Sequence, residues 1–101
     1  MPSYSVTDAA GNELTDVGPD VLLAALDEAT DHLVLRRDDW PDRSATARRL
    51  ADGWQIELTE GGTTLVAEMP VTDAALDTLR SWAEEDQWWR EAFSWRPATG
   101  R

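Results

Sequence analysis

Apolar and polar positions along this chain fall into stretches of period two, which mark strands, and stretches of period near 3.6, which mark helices. Over residues 2–8, Tyr4 and Val6 alternate with Ser3, Ser5 and Thr7 and predict a strand. Ala9-Ala10-Gly11-Asn12 reads as a turn, and Glu13–Thr15 as a short return strand. Residues 19–30 read as a helix. Gly18 can be its N-cap, and Pro19 suits the first helical position, where a missing N–H costs nothing. Asp20 complements the positive helix end, and Leu22, Leu23, Leu26 and Ala29 form one apolar stripe. His32–Arg37 alternates again as a strand, and the residues from Asp38 to Asp42 form a loop around Trp40-Pro41. Ser44–Ala51 suits either helix or strand. A strand is preferred because it extends a meander into the hairpin that follows.

That hairpin, 53–69, is the clearest local signal. Gly61-Gly62 can take positive φ at both central turn positions. Counting outward pairs Leu58 with Leu65, Ile56 with Ala67 and Trp54 with Met69, all on one face. The opposite face pairs Thr59 with Thr64, Glu57 with Val66 and Gln55 with Glu68, and reads as polar and acidic. A second helix is expected over 72–85, with Thr72 as N-cap and Leu76, Leu79, Trp82 and Ala83 on one stripe. Its end, Glu84-Glu85-Asp86, sets three carboxylates against the helix dipole. A break there relieves the conflict, with Asp86 capping a short helix over Gln87–Ala92. Phe93–Trp95 then runs extended toward Pro97 and a loose tail. The elements add up to one α+β domain over residues 1–101. It has an antiparallel sheet of four to five strands, two main helices packed on one face, and a short C-terminal helical turn.

Composition narrows the function. At 101 residues, with 42% apolar and 29% charged positions, the chain is an ordinary one-domain protein. Its charge is not ordinary. Twenty acidic residues against nine basic ones, all Arg, give −11, beyond the magnitude of about 2–8 that solubility asks for. Such a surface repels nucleic acid and anionic lipid and suits a basic partner. No Cys is present, which removes disulfides, thiolate metal sites and Cys nucleophiles and favours the cytoplasm. Met1-Pro2-Ser3-Tyr4 has no basic or apolar leader character, so no signal peptide is expected. The longest apolar run, Val21–Leu26, is far short of a membrane span of about 20 residues.

Candidate chemistry thins out quickly. His32 is the only His, it opens a strand, and no nucleophile elbow or second base accompanies it, so it reads as a strand-edge residue. Asp38, Asp39 and Asp42 lack the alternation, Gly and distant Glu of a calcium loop, and a solvated turn is the better account. No Gly-rich phosphate cradle occurs. No catalytic, cofactor or metal residue is therefore expected, and the chain reads as a binder rather than an enzyme. Trp54 and Trp82 belong to the core by their faces. Trp40 sits in an acidic loop, and Trp88 and Trp89, adjacent on a helix, cannot both point inward. Trp is a favoured interface anchor. The expected partner-binding set is therefore Asp38, Asp39, Trp40, Glu57, Glu68, Glu84, Glu85, Asp86 and Trp89.

The second half, with Asp52-Gly53-Trp54-Gln55-Ile56-Glu57-Leu58, then Glu84-Glu85-Asp86-Gln87-Trp88-Trp89-Arg90 and Phe93-Ser94-Trp95, resembles small acidic immunity proteins of bacterial polymorphic-toxin systems. The likeness spans about residues 32–97 and concerns immunity proteins that accompany deaminase or nuclease toxins. It implies a cytoplasmic protein that occludes the active site of a basic toxin domain, without transferring any family binding residue. The alternative from composition is a generic acidic interaction module, or a nucleic-acid mimic that inhibits a basic DNA- or RNA-binding protein.

Overall fold

A computed structural model describes residues 3–29, 31–40 and 42–97, apart from the side chain of Pro19. Pro2, Thr30, Pro41 and the tail beyond Pro97, assigned above to strand, helix end, turn and loose chain, lie outside the described residues. The chain runs β1 (Tyr4–Asp8), β2 (Glu13–Thr15), α1 (Pro19–Glu28), β3 (His32–Arg37), β4 (Arg43–Leu50), β5 (Gly53–Glu60), β6 (Thr63–Met69), α2 (Thr72–Ala83), α3 (Trp88–Ala92) and β7 (Arg96–Pro97).

The strands form one antiparallel sheet in the order β2-β1-β3-β4-β5-β6-β7. Seven strands replace the expected four to five. The surplus lies at the edges: β2 is the short return strand expected at Glu13–Thr15, and β7 has two residues, too short for a hydrophobic alternation to show in sequence. The sequence predicts extended chain over Phe93–Trp95 and a loose tail from Pro97, yet Arg96 and Pro97 pair with Val66 and Leu65 of β6. A proline is tolerated there because the outer side of an edge strand needs no ladder donor.

The register of the central hairpin follows from its turn. Gly61 and Gly62 have φ of 54° and 92°, and Trp54↔Met69, Ile56↔Ala67 and Leu58↔Leu65 are paired. β4, ambiguous in sequence, is paired along its whole length with β5. Its Ala45 and Ala47 are fully buried beneath the helices, where small side chains let the helical layer sit close to the sheet. Gly53 opens β5 because a Cβ there would run into the carbonyl of Met69.

One face of the sheet carries its core. Leu33, Leu35, Trp54, Ile56 and Leu58 meet Leu22 and Leu26 of α1 and Leu79 and Trp82 of α2 in one continuous core. Burying a Leu or Ile side chain fully is worth about 1.5–3 kcal/mol, so this layer carries most of the stability. α2 starts at Thr72, the residue expected to cap it. Val71 holds the N-cap position and makes no side-chain cap bond, whereas the hydroxyl of Thr72 accepts a 3.0 Å bond from Trp54 Nε1. The buried indole's need for an acceptor outweighs the capping preference.

The other face of the sheet has no covering element among the described residues. Along its middle run Thr7, Val34, Thr46, Glu57 and Val66, one from each successive strand.

Candidate protein-interaction surface

The site assembles around Arg37 at the end of β3. Its guanidinium donates through Nε and Nη2 to the two carboxylate oxygens of Asp39, at 2.6 and 2.9 Å. Nη1 donates to the Ala83 carbonyl at 2.9 Å and to Glu85 at 3.3 Å. Only 11% of the side chain is exposed. Asp39, first among the causes, raises the Arg37 pKa above its ordinary value. A fixed positive charge thus lies against the negative end of α2, which answers the dipole conflict seen in the sequence.

The expected helix end at residue 85 is corrected to Ala83. Glu84 closes the helix, and Glu85 turns left-handed at φ 61°. The Glu85 and Asp86 N–H groups then bond back to Trp82 and Ser81 carbonyls at 3.3 and 2.9 Å, the paired closure of a Schellman motif. That position normally takes glycine, and a glutamate there stores backbone strain.

This reversal launches α3 and sets its phase. Asp86 Oδ1 accepts the Trp88 N–H at 2.8 Å, and Ser81 Oγ accepts the Trp89 N–H at 3.1 Å. Trp89 consequently faces inward at 5% exposure, and Trp88 faces out at 44%. The expected assignment of Trp89 to the partner surface is therefore corrected. Its ring lies edge-to-face against Trp95 at 5.2 Å, and its carbonyl accepts the Trp95 indole N–H at 2.7 Å. Trp88 is the free indole, touching Phe93 edge-on at 6.0 Å. Adjacent helical positions diverge by about 100°, so one had to face out, but only the Ser81 contact fixes which.

Trp40 is half-buried. It packs edge-to-face on Trp82 at 5.2 Å, and the guanidinium carbons of Arg37 and Arg43 lie 4.0 and 4.9 Å from its ring centre. The buried Nε1 of Trp82 has no hydrogen-bond partner among the described residues.

Two depressions open on this side. A cleft of about 220 Å³ is lined by Trp40, Arg43, Glu60, Glu85, Asp86 and Arg90, among others. A shallower groove of about 340 Å³ is lined by Asp77, Arg80, Ser81, Glu84, Asp86 and Trp88. Asp86 lines both, so they form one surface. Asp42 joins it, because its carbonyl accepts the Gly61 N–H at 3.1 Å beside Glu60. Asp38 is exposed and accepts the Ser3 N–H at 3.0 Å.

Of the expected site residues, Asp38, Asp39, Trp40, Glu84, Glu85 and Asp86 are thus brought to one end of the helical layer. Glu57 and Glu68 are not. They project from the opposite, uncovered face, and arginines from other strands offset them: Arg48 lies 3.5 Å from Glu57, and Arg96 lies 2.7 Å from Glu68. The Arg96 hydrogen bond and charge hold the Glu68 carboxyl below its usual range. The hairpin face read as acidic is charge-balanced once its neighbours are in place. Trp88, Asp77 and Glu60 join the surface although the expected set omitted them.

A groove of about 270 Å³ between α1 and the β1–β2 hairpin, lined by Val6, Leu14, Ala25, Ala29 and His32 among others, holds none of the expected residues. Among the described residues, no three His, Asp or Glu side chains are grouped to hold a metal ion, and no helix is long and apolar enough to cross a membrane. Comparison with family models, curated proteins and solved structures returned no match for this chain.

Proposed function

We propose that this chain is a cytoplasmic immunity protein, which binds a basic toxin domain of deaminase or nuclease type and covers its active site. The observation that carries the reading is that Trp40, from the acidic 38–42 loop, shares a cleft with Glu60, Glu85 and Asp86, and that Asp86 continues this cleft into a groove with Asp77, Glu84 and the exposed Trp88. A toxin that acts on nucleic acid needs a basic cleft. The carboxylates of Asp77, Glu84 and Asp86 match such a cleft in charge, and Trp88 supplies an aromatic anchor of the kind that dominates interface energetics. Glu85 supports the same reading, since backbone strain is kept where a functional surface needs it.

The test is an affinity capture of the tagged protein from its native host at ~0.15 M and ~0.5 M salt, read by mass spectrometry. The expected result is one dominant partner at both salts, lost on Trp88→Ala. Many basic partners, all released at high salt, would replace the dedicated inhibitor with a charge mimic. No partner at either salt would overturn both readings.

A further inference from the structure

The uncovered face of the sheet differs from the rest of the molecule in charge. By strand register it presents Glu13, Glu57 and Glu68 against Arg36, Arg48 and Arg96. Three negative and three positive side chains cancel, so the whole excess of −11 lies elsewhere. A second copy of so acidic a chain is repelled by every other surface and meets no net repulsion here.

The pattern on this face is also self-complementary. A two-fold axis parallel to the strands, between β4 and β5, lays β4 over β5 of the second copy and β3 over its β6. The registers then place Val34 over Val66, His32 over Glu68 and Thr46 over Glu57 of the second copy. Arg48 falls over Gln55, one row from the second copy's Glu57. The basic β3–β4 half of one copy therefore faces the acidic β5–β6 half of the other, twice, as an isologous contact requires. Val34 is half-buried and Val66 is recessed at 4% exposure, so an apolar contact flanks the central Thr46–Glu57 pairs on each side. Stacked sheets pack about 10 Å apart and about 30° from aligned, which keeps the centre in register while the corners diverge.

With the axis between β4 and β5, β4 faces β5, β3 faces β6 and β1 faces β7, and β2 has no strand opposite. Six strands spaced about 4.8 Å apart, with about five residues each at about 3.4 Å, give about 500 Å² per copy. A pair buries about 1,000 Å², the size of a weak, transient interface. We infer that the uncovered sheet face is a homodimer interface of micromolar strength, leaving the acidic, Trp88-bearing side of each copy free.

Sedimentation velocity over ~5–500 µM protein tests this, with a monomer–dimer equilibrium expected within that range. Val34→Arg is expected to weaken dimerisation at least ~10-fold, since it sets an unpaired charge on the apolar contact beside the centre. Arg48→Glu and Glu57→Arg give a second arm that does not depend on the core. Exposed pairs contribute little to folding, so both variants fold. Each alone puts like charges across the axis and stays monomeric, while an equimolar mixture associates. A chain monomeric at ~500 µM overturns the inference and leaves this face solvated on one side. So does a dimer unaffected by Val34→Arg, or a mixture that fails to associate.

Discussion

Asp39 grips Arg37 at both ends of its carboxylate, at 2.6 and 2.9 Å, and so aims the remaining guanidinium nitrogen at the carbonyl of Ala83. One arginine thus ties β3, the acidic loop and the end of α2 together. Lysine has no planar fork and cannot make these contacts at once. Arg37→Ala should cost about 2–3 kcal/mol, because hydrogen bonds to charged groups are worth about that much. For a domain of this size, melting should fall by about 10–20 °C. Arg37→Lys should recover less than half of the loss. Thermal denaturation followed by circular dichroism measures both.

The two adjacent tryptophans should separate stability from binding. Trp89→Ala removes a buried ring and should cost about 3–5 kcal/mol. Trp88→Ala should change stability by less than about 1 kcal/mol. It should nonetheless abolish capture of the partner proposed above. Melting curves of the two variants, set beside partner capture, show whether the exposed indole is an anchor. A destabilised Trp88→Ala protein would place that ring in the fold instead.

Glu85→Gly should raise stability by about 0.5–1 kcal/mol. Relief of the left-handed strain, about 1–2 kcal/mol, exceeds the loss of an ion pair whose glutamate is 62% exposed. Chemical denaturation with an unchanged m-value is the check. A loss of stability would mean that the Arg37 contact outweighs the strain.

Acid should act partly through Asp8. The Asn12 backbone N–H, at 2.9 Å, and its side chain hold the Asp8 carboxyl below the ordinary 3.8, with further help from the Ala10 and Gly11 N–H groups. The folded chain therefore binds this proton less readily than the unfolded chain. The stabilisation is complete above the ordinary aspartate value and is lost as pH falls through the lowered one. Melting temperatures of the parent and Asp8→Ala should differ at pH 6, and the gap should close as pH drops through and below 3.8.

The parts of this structure that were legible in sequence are those settled within a few residues. Gly61-Gly62 and the alternation around them determine the pairing from Trp54 to Met69 without reference to any other element. What was not legible depends on partners far along the chain. Thr72 gives up its capping role because Trp54, 18 positions earlier, needs its oxygen. Glu68 loses its free charge to Arg96, 28 positions later. The choice between Trp88 and Trp89 turns on Ser81, which sits in a different helix. The strand count failed for another reason: the two-residue edge β7 is held by a neighbour's unpaired backbone groups, which no side-chain pattern records.

Neighbouring strands of the sheet are consecutive in the chain except β1 and β3, which pair across β2 and α1, and two helices separate the neighbours β6 and β7. Sequential pairing of this kind lowers contact order and suits rapid folding. It also sets an order of completion during synthesis. The strands through β6 are made before α2, whose Leu79 and Trp82 then close the core over them. Ser81, Asp86, Trp88 and Trp89 follow every central strand in the chain, so the grooved surface is finished only after the sheet that carries it. A nascent chain would acquire its scaffold first and the shape of that surface second.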